Sequence, residues 1–563
     1  MSWKNFITHF FSKRKTKRGL LHKKEPGRRN ASSEETTEAD TYFPITGKGE
    51  LGTDLASNIE QIKTAFGRSD DLVVREIETA TSPPLKMALF LIDGLVDDLT
   101  VTESVLTPLL ASPAEPFSEE TSPATFFETA KKTLLRAGQV SETTTFEEIF
   151  NGLSSGITII LVEKHNRALL ASTQGWKERG IEEPATEAVV RGPRDSFAER
   201  LRGNTALLRL RLKSPRLRIE EFQIGELTKT KIALAYIQNI ASEKLLQEVK
   251  DRLKRIKTAG ILESGYLEEF IEDEPLSPFP QLLRSERPDR VTACLLEGKV
   301  AILTDGTPFV LLVPAFFTEF LTTPEDYYER YFIGSFIRLI RYAAFTISLV
   351  LPSIYVAIIT FHQEMLPTPL ILSIASQREG VPFPTFVEAL LLELTFEILR
   401  EAGLRLPRVI GQAVSIVGVI IIGQAAVEAG LVSQFMLIVV ALTAIASFAT
   451  PVFSLAITMR LLRFALLFLA SALGFFGVLA GIYIILLHLV SLRSYGFPYL
   501  KPLGPVMASD LKDTIIRVPM WAMHTRPRLV VPDDRIRQKK DLKPQPPAHS
   551  EKTNDTEKGE NAI

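Results

Sequence analysis

The stretch between residues 342 and 492 constrains the fold most, because it contains four long runs without a formally charged side chain. The runs 342–361, 409–427, 431–459 and 464–492 hold 20, 19, 29 and 29 residues. A helix needs about 20 residues to cross the hydrocarbon core of a bilayer. Backbone polar groups inside lipid must pair within their own segment, which favours helices. The sequence therefore predicts an integral membrane protein with about four helical spans.

The chain before residue 341 is rich in charge and predicts a large hydrophilic domain. Segments 70–79, 86–92, 157–163 and 231–237 are typical of strands, and 242–256 has the apolar spacing of a helix. Strands that alternate with helices indicate an α/β arrangement. We predict an α/β soluble domain of two subdomains, followed by an all-α membrane domain. The predicted domains are a basic, largely disordered arm (1–43), subdomain 1 (44–155), subdomain 2 (156–330), the membrane domain (331–495), and a proline-rich segment with a disordered cytoplasmic tail (496–563).

A fifth apolar segment, 300–321, is predicted to be a hairpin and not a span. Asp305 and Gly306 form a strong short-range turn signal between two apolar runs. Pro308 and Pro314 would also break a helix near its middle.

Composition excludes several functions. The formal charge of -1 gives no reason to expect a nucleic-acid partner. Because Cys294 is the single cysteine, neither an intrachain disulfide nor a thiolate metal cluster can form. The sequence lacks a glycine-rich phosphate loop, a His/Glu metal pair and a Ser/His/Asp arrangement at usable spacing. We therefore predict no enzyme activity, no cofactor and no metal.

Three soluble residues are candidates for coupling between copies of the chain: Arg191, Arg194 and Asp305. The two guanidinium groups flank a Gly-Pro turn and could bind an anion. A structural corner of ion pairs is an equal alternative. The basic amino terminus also leaves two interpretations open, an arm held on anionic membrane lipid or a solvated tail.

The membrane domain offers Pro352, Glu393 and Glu397 as candidate pore or gate residues. Pro352 lies in the middle of the first run and removes one helical hydrogen bond. In segment 385–401 the acidic side chains fall on one helical face, and the helix could span, re-enter or lie at the interface. Around an oligomer axis Glu393 and Glu397 would form carboxylate rings that favour cations. A solvated face with internal Glu–Arg pairing is the alternative.

Small residues in two runs predict packing seams, because they let helices approach closely. The seams are Gly411, Ser415 and Gly418 in the second run, and Gly474, Gly477 and Gly481 in the last. The third run, 431–459, has Pro451 near its end, and Arg460 and Arg463 are expected to close the turn that follows the run. Lys and Arg counts do not fix the orientation, whereas the basic arm favours a cytoplasmic soluble domain.

Six ordered blocks carry a resemblance to a known family. They are RGPRDSFAERLRGNTALLR (191–209), SPFPQLLRSERPD (277–289), LLEGKVAILTDGTPFVLLVP (295–314), EALLLELTFEILREAGLRLP (388–407), IIGQAAVEAG (421–430) and SYGFPYLKPLGP (494–505). The chain resembles the A subunit of the GerA-type spore germination receptors from about residue 48 to 528.

The resemblance implies a nutrient receptor subunit in the spore inner membrane. It implies a transporter-like B subunit that holds most of the nutrient site, and a lipoprotein C subunit, as partners. It also implies a homo-oligomer around an ion-conducting pore that releases monovalent cations. Two alternatives remain from the residues themselves, a secondary transporter of a small solute and a membrane-anchored enzyme. The sequence shows neither the internal repeats and intramembrane charges of the first nor the catalytic signatures of the second.

Overall fold

The computed structural model describes most of the chain between residues 49 and 545. The described residues are 49–78, 85–110, 127–128, 130–131, 139–175, 183–184, 186–405, 423–507, 509–528, 530–531, 536–539 and 542–545. The basic arm, most of the second uncharged run and the predicted seam of Gly411, Ser415 and Gly418 lie outside these residues.

The first of two five-stranded sheets among the described residues is antiparallel, with the spatial order β1-β2-β4-β5-β3. They are β1 Leu72–Glu78, β2 Lys86–Ile92, β3 Val140–Thr143, β4 Ile157–Val162 and β5 Ala168–Ser172. Helices α1 (Leu55–Phe66) and α2 (Phe146–Ser154) cover one face, and Val101–Leu106 covers the other. Both helices begin at a side-chain cap, since Asp54 accepts from the Ser57 N–H and Thr145 from the Glu148 N–H. Because β2 is covered on both faces, its sequence is a nearly continuous apolar run.

The second sheet repeats the topology of the first, in the order β6-β7-β9-β10-β8 and again fully antiparallel. Its strands are β6 Leu217–Ile224, β7 Thr230–Ile237, β8 Leu283–Ser285, β9 Val300–Thr304 and β10 Val310–Val313. The accompanying helices are α3 Leu201–Arg211, α4 Glu243–Arg255, α5 Ser264–Ile271 and α6 Pro288–Leu296. The predicted hairpin is confirmed, because β9 and β10 pair around Asp305 and Gly306, and Gly306 has a φ of 94°.

One face of the second sheet packs on α4 and α5, and the other continues into the helical region. That second face shares a single apolar core with residues of the long helices, including Leu349, Leu455 and Met459. As far as the described residues go, the core of the first sheet contains no residue of the long helices. The second sheet with helices α3 to α6 is therefore the part that meets the long helices, and the name second subdomain refers to this unit below; strands β4 and β5, inside the predicted range 156–330, belong to the first sheet.

Five helices of at least 11 residues follow the sheets among the described residues: α7 Tyr331–Phe361, α8 Thr368–Arg378, α9 Thr385–Arg405, α10 Gln434–Phe448 and α11 Phe453–Ser491. A short helical segment, 423–428, precedes α10. By length and composition, α7 and α11 could each cross a membrane. The count of four spans stays a prediction.

The third uncharged run does not form one continuous helix. Helix α10 ends at Phe448, and α11 begins at Phe453 after Pro451. Arg460 and Arg463 consequently lie inside α11, so the prediction that they close a turn was wrong. The run contains no charge at the break, and hydropathy alone therefore does not reveal it.

Helix α11 folds back on itself at Gly474, where the backbone leaves the helical region (φ 60°, ψ -139°). A Cβ on Gly481 would lie 2.4 Å from Leu466 Cδ2, although 15 residues of straight helix would separate these residues by about 22 Å. At the opposite end, Thr458 donates to the Pro278 carbonyl while His488 contacts Ser277 at 2.8 Å. The two arms, 453–473 and 475–491, therefore run antiparallel with both open ends at the soluble domain.

After α11 the chain returns to the soluble domain. The two-residue strands Arg493–Ser494 and Phe497–Pro498 pair with each other. The Ser494 hydroxyl accepts from the Ala315 N–H at 3.0 Å and donates to the Gln281 carbonyl at 2.8 Å. Tyr499 is buried and donates to the Pro280 carbonyl at 2.7 Å. The segment 493–499 thus completes the wall of the second subdomain.

Candidate functional site

A buried carboxylate connects the soluble domain to the start of α7. Asp326 lies in the short helix Glu325–Tyr328 and is 3% exposed. It accepts from Arg338 Nε at 3.1 Å and from Arg341 Nη1 at 3.0 Å. Burial alone would raise the pKa of Asp326, but the hydrogen bond and charge of Arg341, with Arg338, bring the pKa below its ordinary value. A Cβ at Gly334 would lie 2.6 Å from the Asp326 carbonyl oxygen, so glycine is needed for this close approach.

The C-terminal segment closes the same network from the other side. Arg338 Nη1 donates to Asp513 Oδ1 at 2.9 Å, and the Tyr327 hydroxyl donates to Asp513 Oδ2 at 2.6 Å. Arg517 Nη1 donates to the Asp326 carbonyl at 2.7 Å. We call Asp326, Tyr327, Arg338, Arg341, Asp513 and Arg517 the junction network. Removal of one partner from a buried ion pair is strongly destabilising, because the other charge stays buried and uncompensated. The junction network therefore fixes the start of α7 to the soluble domain.

A second cluster joins α9 to the first arm of α11. Glu393 is 0% exposed and its Oε2 lies 3.0 Å from Arg463 Nη1. Glu397 Oε2 accepts from Arg460 Nη1 at 2.6 Å, and its Oε1 lies 3.6 Å from Arg463 Nη2. The structure therefore pairs both candidate pore carboxylates with arginines within one chain. We call these four residues the gate cluster.

The outward surface of α9 is apolar. Leu391, Leu394 and Ile398 are exposed, Ile398 to 69%. The neighbouring Leu392 is instead buried beside Val356 and Met436. Charges inside and apolar side chains outside are the arrangement expected where lipid surrounds a helix.

The remaining membrane candidates take distinct places. Pro352 is buried within α7, and the helix continues on both sides of it. Gly474 lies at the turn of α11, against Phe361 and His362 at the end of α7. Gly477 and Gly481 line the inner side of the second arm, where they face Leu469 and Leu466 of the first arm. This seam packs the two arms of α11 together.

The three soluble candidates have separate partners. Arg191 Nη1 lies 3.8 Å from Glu329 Oε1, and Arg194 Nη1 lies 2.9 Å from Glu183 Oε1, with both arginines exposed. Asp305 Oδ1 accepts from the Leu201 N–H at 3.0 Å, which caps the first turn of α3. The geometry gives the two arginines surface ion pairs and Asp305 a capping contact.

Sequence reasoning missed a cavity of about 350 Å³ between α6, the turn Phe317–Leu321 and the segment after Lys501. Its walls include Phe316, Met520, Met523 and Val530, together with two buried lysines, Lys299 and Lys501. These residues lie far apart in the sequence, and no local pattern connects them.

Ionisable groups in the cavity wall are shifted by their surroundings. Burial raises the pKa of Glu297 to about 6, against the opposing charge of Arg537. Burial also raises the pKa of the Cys294 thiol to about 11. Burial lowers the pKa of Lys501, although Asp510 opposes this effect. Among the described residues, no group of three or more His, Cys, Asp or Glu side chains could hold a metal ion.

The fold and the buried networks define a class of protein in which an α/β sheet domain is tied by ion pairs to apolar helices. The sequence model of the Bacillus/Clostridium GerA spore germination protein matches residues 60–529. The chain belongs to this GerA family, and the resemblance noted in the sequence is confirmed.

Relatives of known name cover most of the chain. Spore germination protein KA of Bacillus subtilis (strain 168) is 47% identical over 511 residues, which are 91% of this chain and 93% of that protein. Spore germination protein B1 of the same organism is 42% identical, covering 87% of this chain and 100% of that protein. GerLA of Bacillus cereus is 38% identical, covering 87% and 98%. The crystal structure of the N-terminal domain of the A subunit of the Bacillus megaterium spore germinant receptor GerK3 matches with 33% identity and a TM-score of 0.38, covering 48% of this chain and 98% of that one.

Proposed function

We propose that this chain is the A subunit of a nutrient germinant receptor in the spore inner membrane, with its soluble domain in the cytoplasm. In this proposal it works with B and C subunits, and several copies assemble in membrane lipid around a nutrient-gated cation channel. The observation that carries the proposal is the series of buried ion pairs from the soluble domain to the long helices. Separation of a buried ion pair leaves uncompensated charges and has a high free-energy cost. Movement of one partner is therefore transmitted to the other.

Helix α7 is the element that carries the signal. The junction network fixes its first turns to the soluble domain, and its end packs against the Gly474 turn of α11. Pro352 lies between these two points and has no N–H to donate to the Ser348 carbonyl. Movement of the soluble domain would therefore bend α7 at Pro352 and displace the tip of α11.

The gate cluster is the element that responds. Displacement of α11 moves Arg460 and Arg463 away from Glu397 and Glu393. The freed carboxylates then face the axis of the oligomer, where rings of acidic side chains favour cations. In the closed state the arginines neutralise the same carboxylates.

The test is potassium release from spores in which this chain is the sole A subunit of its receptor. Glu393→Gln and Glu397→Gln remove the charges of the gate cluster and should change the rate and ion selectivity of release after nutrient addition. Glu401→Gln is the matched control, because Glu401 is exposed on the same helix and pairs only with Arg405 among the described residues. Immunoblots of the spore membrane establish equal amounts of protein. Unchanged rate and selectivity in the Glu393/Glu397 double variant would remove both residues from the pore.

A further inference from the structure

The cavity beside α6 has the size and walls of a small-molecule site. Its volume of about 350 Å³ falls within the usual range for ligand pockets, about 300–1,000 Å³. Phe316, Met523 and Val530 supply buried apolar wall. A predominantly apolar pocket with a few convergent polar groups is the common form of such sites.

Lys501 is the polar group with spare binding capacity. Its residue is 2% exposed, and its Nζ lies 3.3 Å from Asp510 Oδ2 and 5.0 Å from the centre of the Phe316 ring. An ammonium group has three donors, yet in the described part of the chain Nζ has no acceptor in hydrogen-bond geometry. Lys299 lies over the same ring at 5.3 Å, but its ammonium donates to Glu319. Leaving buried donors unfilled is costly, and a ligand oxygen at Lys501 would remove that cost.

The other cations of the wall that are not exposed, Arg290, Lys299 and Arg537, already donate to Glu187, Glu319 and Glu297, which leaves Lys501 to hold one negative charge. Glu297, Asp510 and Asp513 also line the cavity and would repel a second charge. The volume is larger than a single inorganic ion requires, and the apolar walls would remain uncovered beside such an ion.

We propose that this cavity binds a small organic molecule with one carboxylate, which sits at Lys501 while the apolar body lies against Phe316 and Met523. Tyr327 and Asp513 belong both to the cavity wall and to the junction network. A bound ligand therefore acts on the start of α7 through these two residues. This coupling rests on the proposed function, whereas the binding itself does not.

Trp521 provides a direct readout of binding, because it lies between Met520 and Met523 of the cavity wall. Trp3 and Trp176 are the other two tryptophans. The double variant Trp3→Phe/Trp176→Phe of the full chain, purified in detergent, reports from Trp521 alone. Butyrate should give a saturable change in fluorescence, and butyramide, which has the same shape without the charge, should give none.

Variants separate the ion contact from a general effect on the fold. Lys501→Met combined with Asp510→Asn avoids an unpaired buried charge and should weaken butyrate binding at least tenfold. Lys512→Gln is the matched control, since Lys512 lines the cavity but is exposed, and its affinity should remain within twofold. Ala293→Leu enlarges an exposed residue of the cavity wall, keeps Lys501, and should also weaken binding by taking up space in the cavity.

Three outcomes would overturn the proposal: an equal response to butyramide, undiminished butyrate affinity in both the Lys501/Asp510 and the Ala293 variants, or binding of inorganic phosphate as tight as that of butyrate. Thermal unfolding of each variant shows whether it folds, and if the Lys501/Asp510 variant does not, Ala293→Leu decides alone. Failure here would leave the channel proposal standing, because the titration measures binding to the purified chain and not ion flow.

Discussion

Substitution of Gly477 by alanine tests the reversal of α11. A Cβ at this position would lie 2.1 Å from the carbonyl oxygen of Leu469. That oxygen belongs to the backbone and cannot rotate away, so the two arms must separate by roughly 1 Å, and overpacking of this kind costs about 1–3 kcal/mol. In a straight exposed helix the same change would stabilise by about 1 kcal/mol, because alanine has the higher helix propensity. The two geometries therefore predict opposite signs.

Thermal unfolding of the full chain in detergent measures that sign. Gly477→Ala should lower the midpoint temperature. The control is Gly203→Ala in α3, where an added Cβ meets no atom within 4 Å, and this variant should be neutral or more stable. A higher midpoint for Gly477→Ala would refute the folded-back helix.

A distance measurement tests the same reversal without relying on stability. Leu461 and Leu487 are exposed and lie on different arms. After Cys294→Ser, spin labels at these positions would be about 39 Å apart along a straight helix. Packed antiparallel arms have axes about 8–10 Å apart, so the measured distance should be much shorter. A pulsed electron resonance distance near 39 Å would contradict the structure.

Three further predictions concern the soluble domain and the junction. Asp326→Asn removes the carboxylate that Arg341 pairs with among the described residues, and leaves Arg338 with Asp513 alone of its two carboxylates, so it should destabilise the chain by about 3–5 kcal/mol; a denaturant midpoint within error of the parent would contradict the junction network. Asp305→Ala removes the cap of α3 and should cost about 0.5–2 kcal/mol, whereas Arg191→Ala breaks an exposed pair and should cost less than about 1 kcal/mol; the same denaturation assay would oppose this assignment if it ranked the two in reverse. Burial, followed by the charge of Glu268, raises the pKa of Glu272 from 4.5 to about 7, so the folded state holds the carboxyl proton more tightly than the unfolded state and loses stability as the pH rises from 4.5 to about 7. Glu272→Gln should match the parent near pH 4 and unfold at a higher temperature than the parent at pH 8, and parallel pH profiles would argue against this shift.

Local sequence patterns predicted the strands that are apolar on both faces or that carry their own turn residues. Strand β2 is a continuous apolar run because both of its faces are covered, and the β9–β10 hairpin carries its own turn residues. Strand β6, with the sequence LRIEEFQI, was missed because charges interrupt its apolar residues. Those charges have specific partners, since Glu220 accepts from the Tyr236 hydroxyl at 2.6 Å.

The helical region shows what composition leaves undetermined. An apolar run indicates that its residues are buried from water, but it does not indicate the direction of the helix axis. Neither the break at Pro451 nor the reversal at Gly474 was therefore predicted. The glycine spacing predicted a packing seam, but it did not identify the first arm of the same helix as the segment that Gly477 and Gly481 face. The acidic face of α9 was visible, whereas the arginines that neutralise it lie about 70 residues away and could be matched only in three dimensions.

The return of the chain to the second subdomain after α11 sets the order in which the molecule can be assembled. Phe317 donates its N–H to the Tyr499 carbonyl at 2.9 Å, and Tyr499 fills the space beside Phe320. During synthesis these aromatic side chains stay uncovered until every long helix has left the ribosome and residue 499 has followed. In a polypeptide whose helices fail to insert, this aromatic surface would stay exposed. Proteases and chaperones could then recognise the incompletely folded chain by that surface.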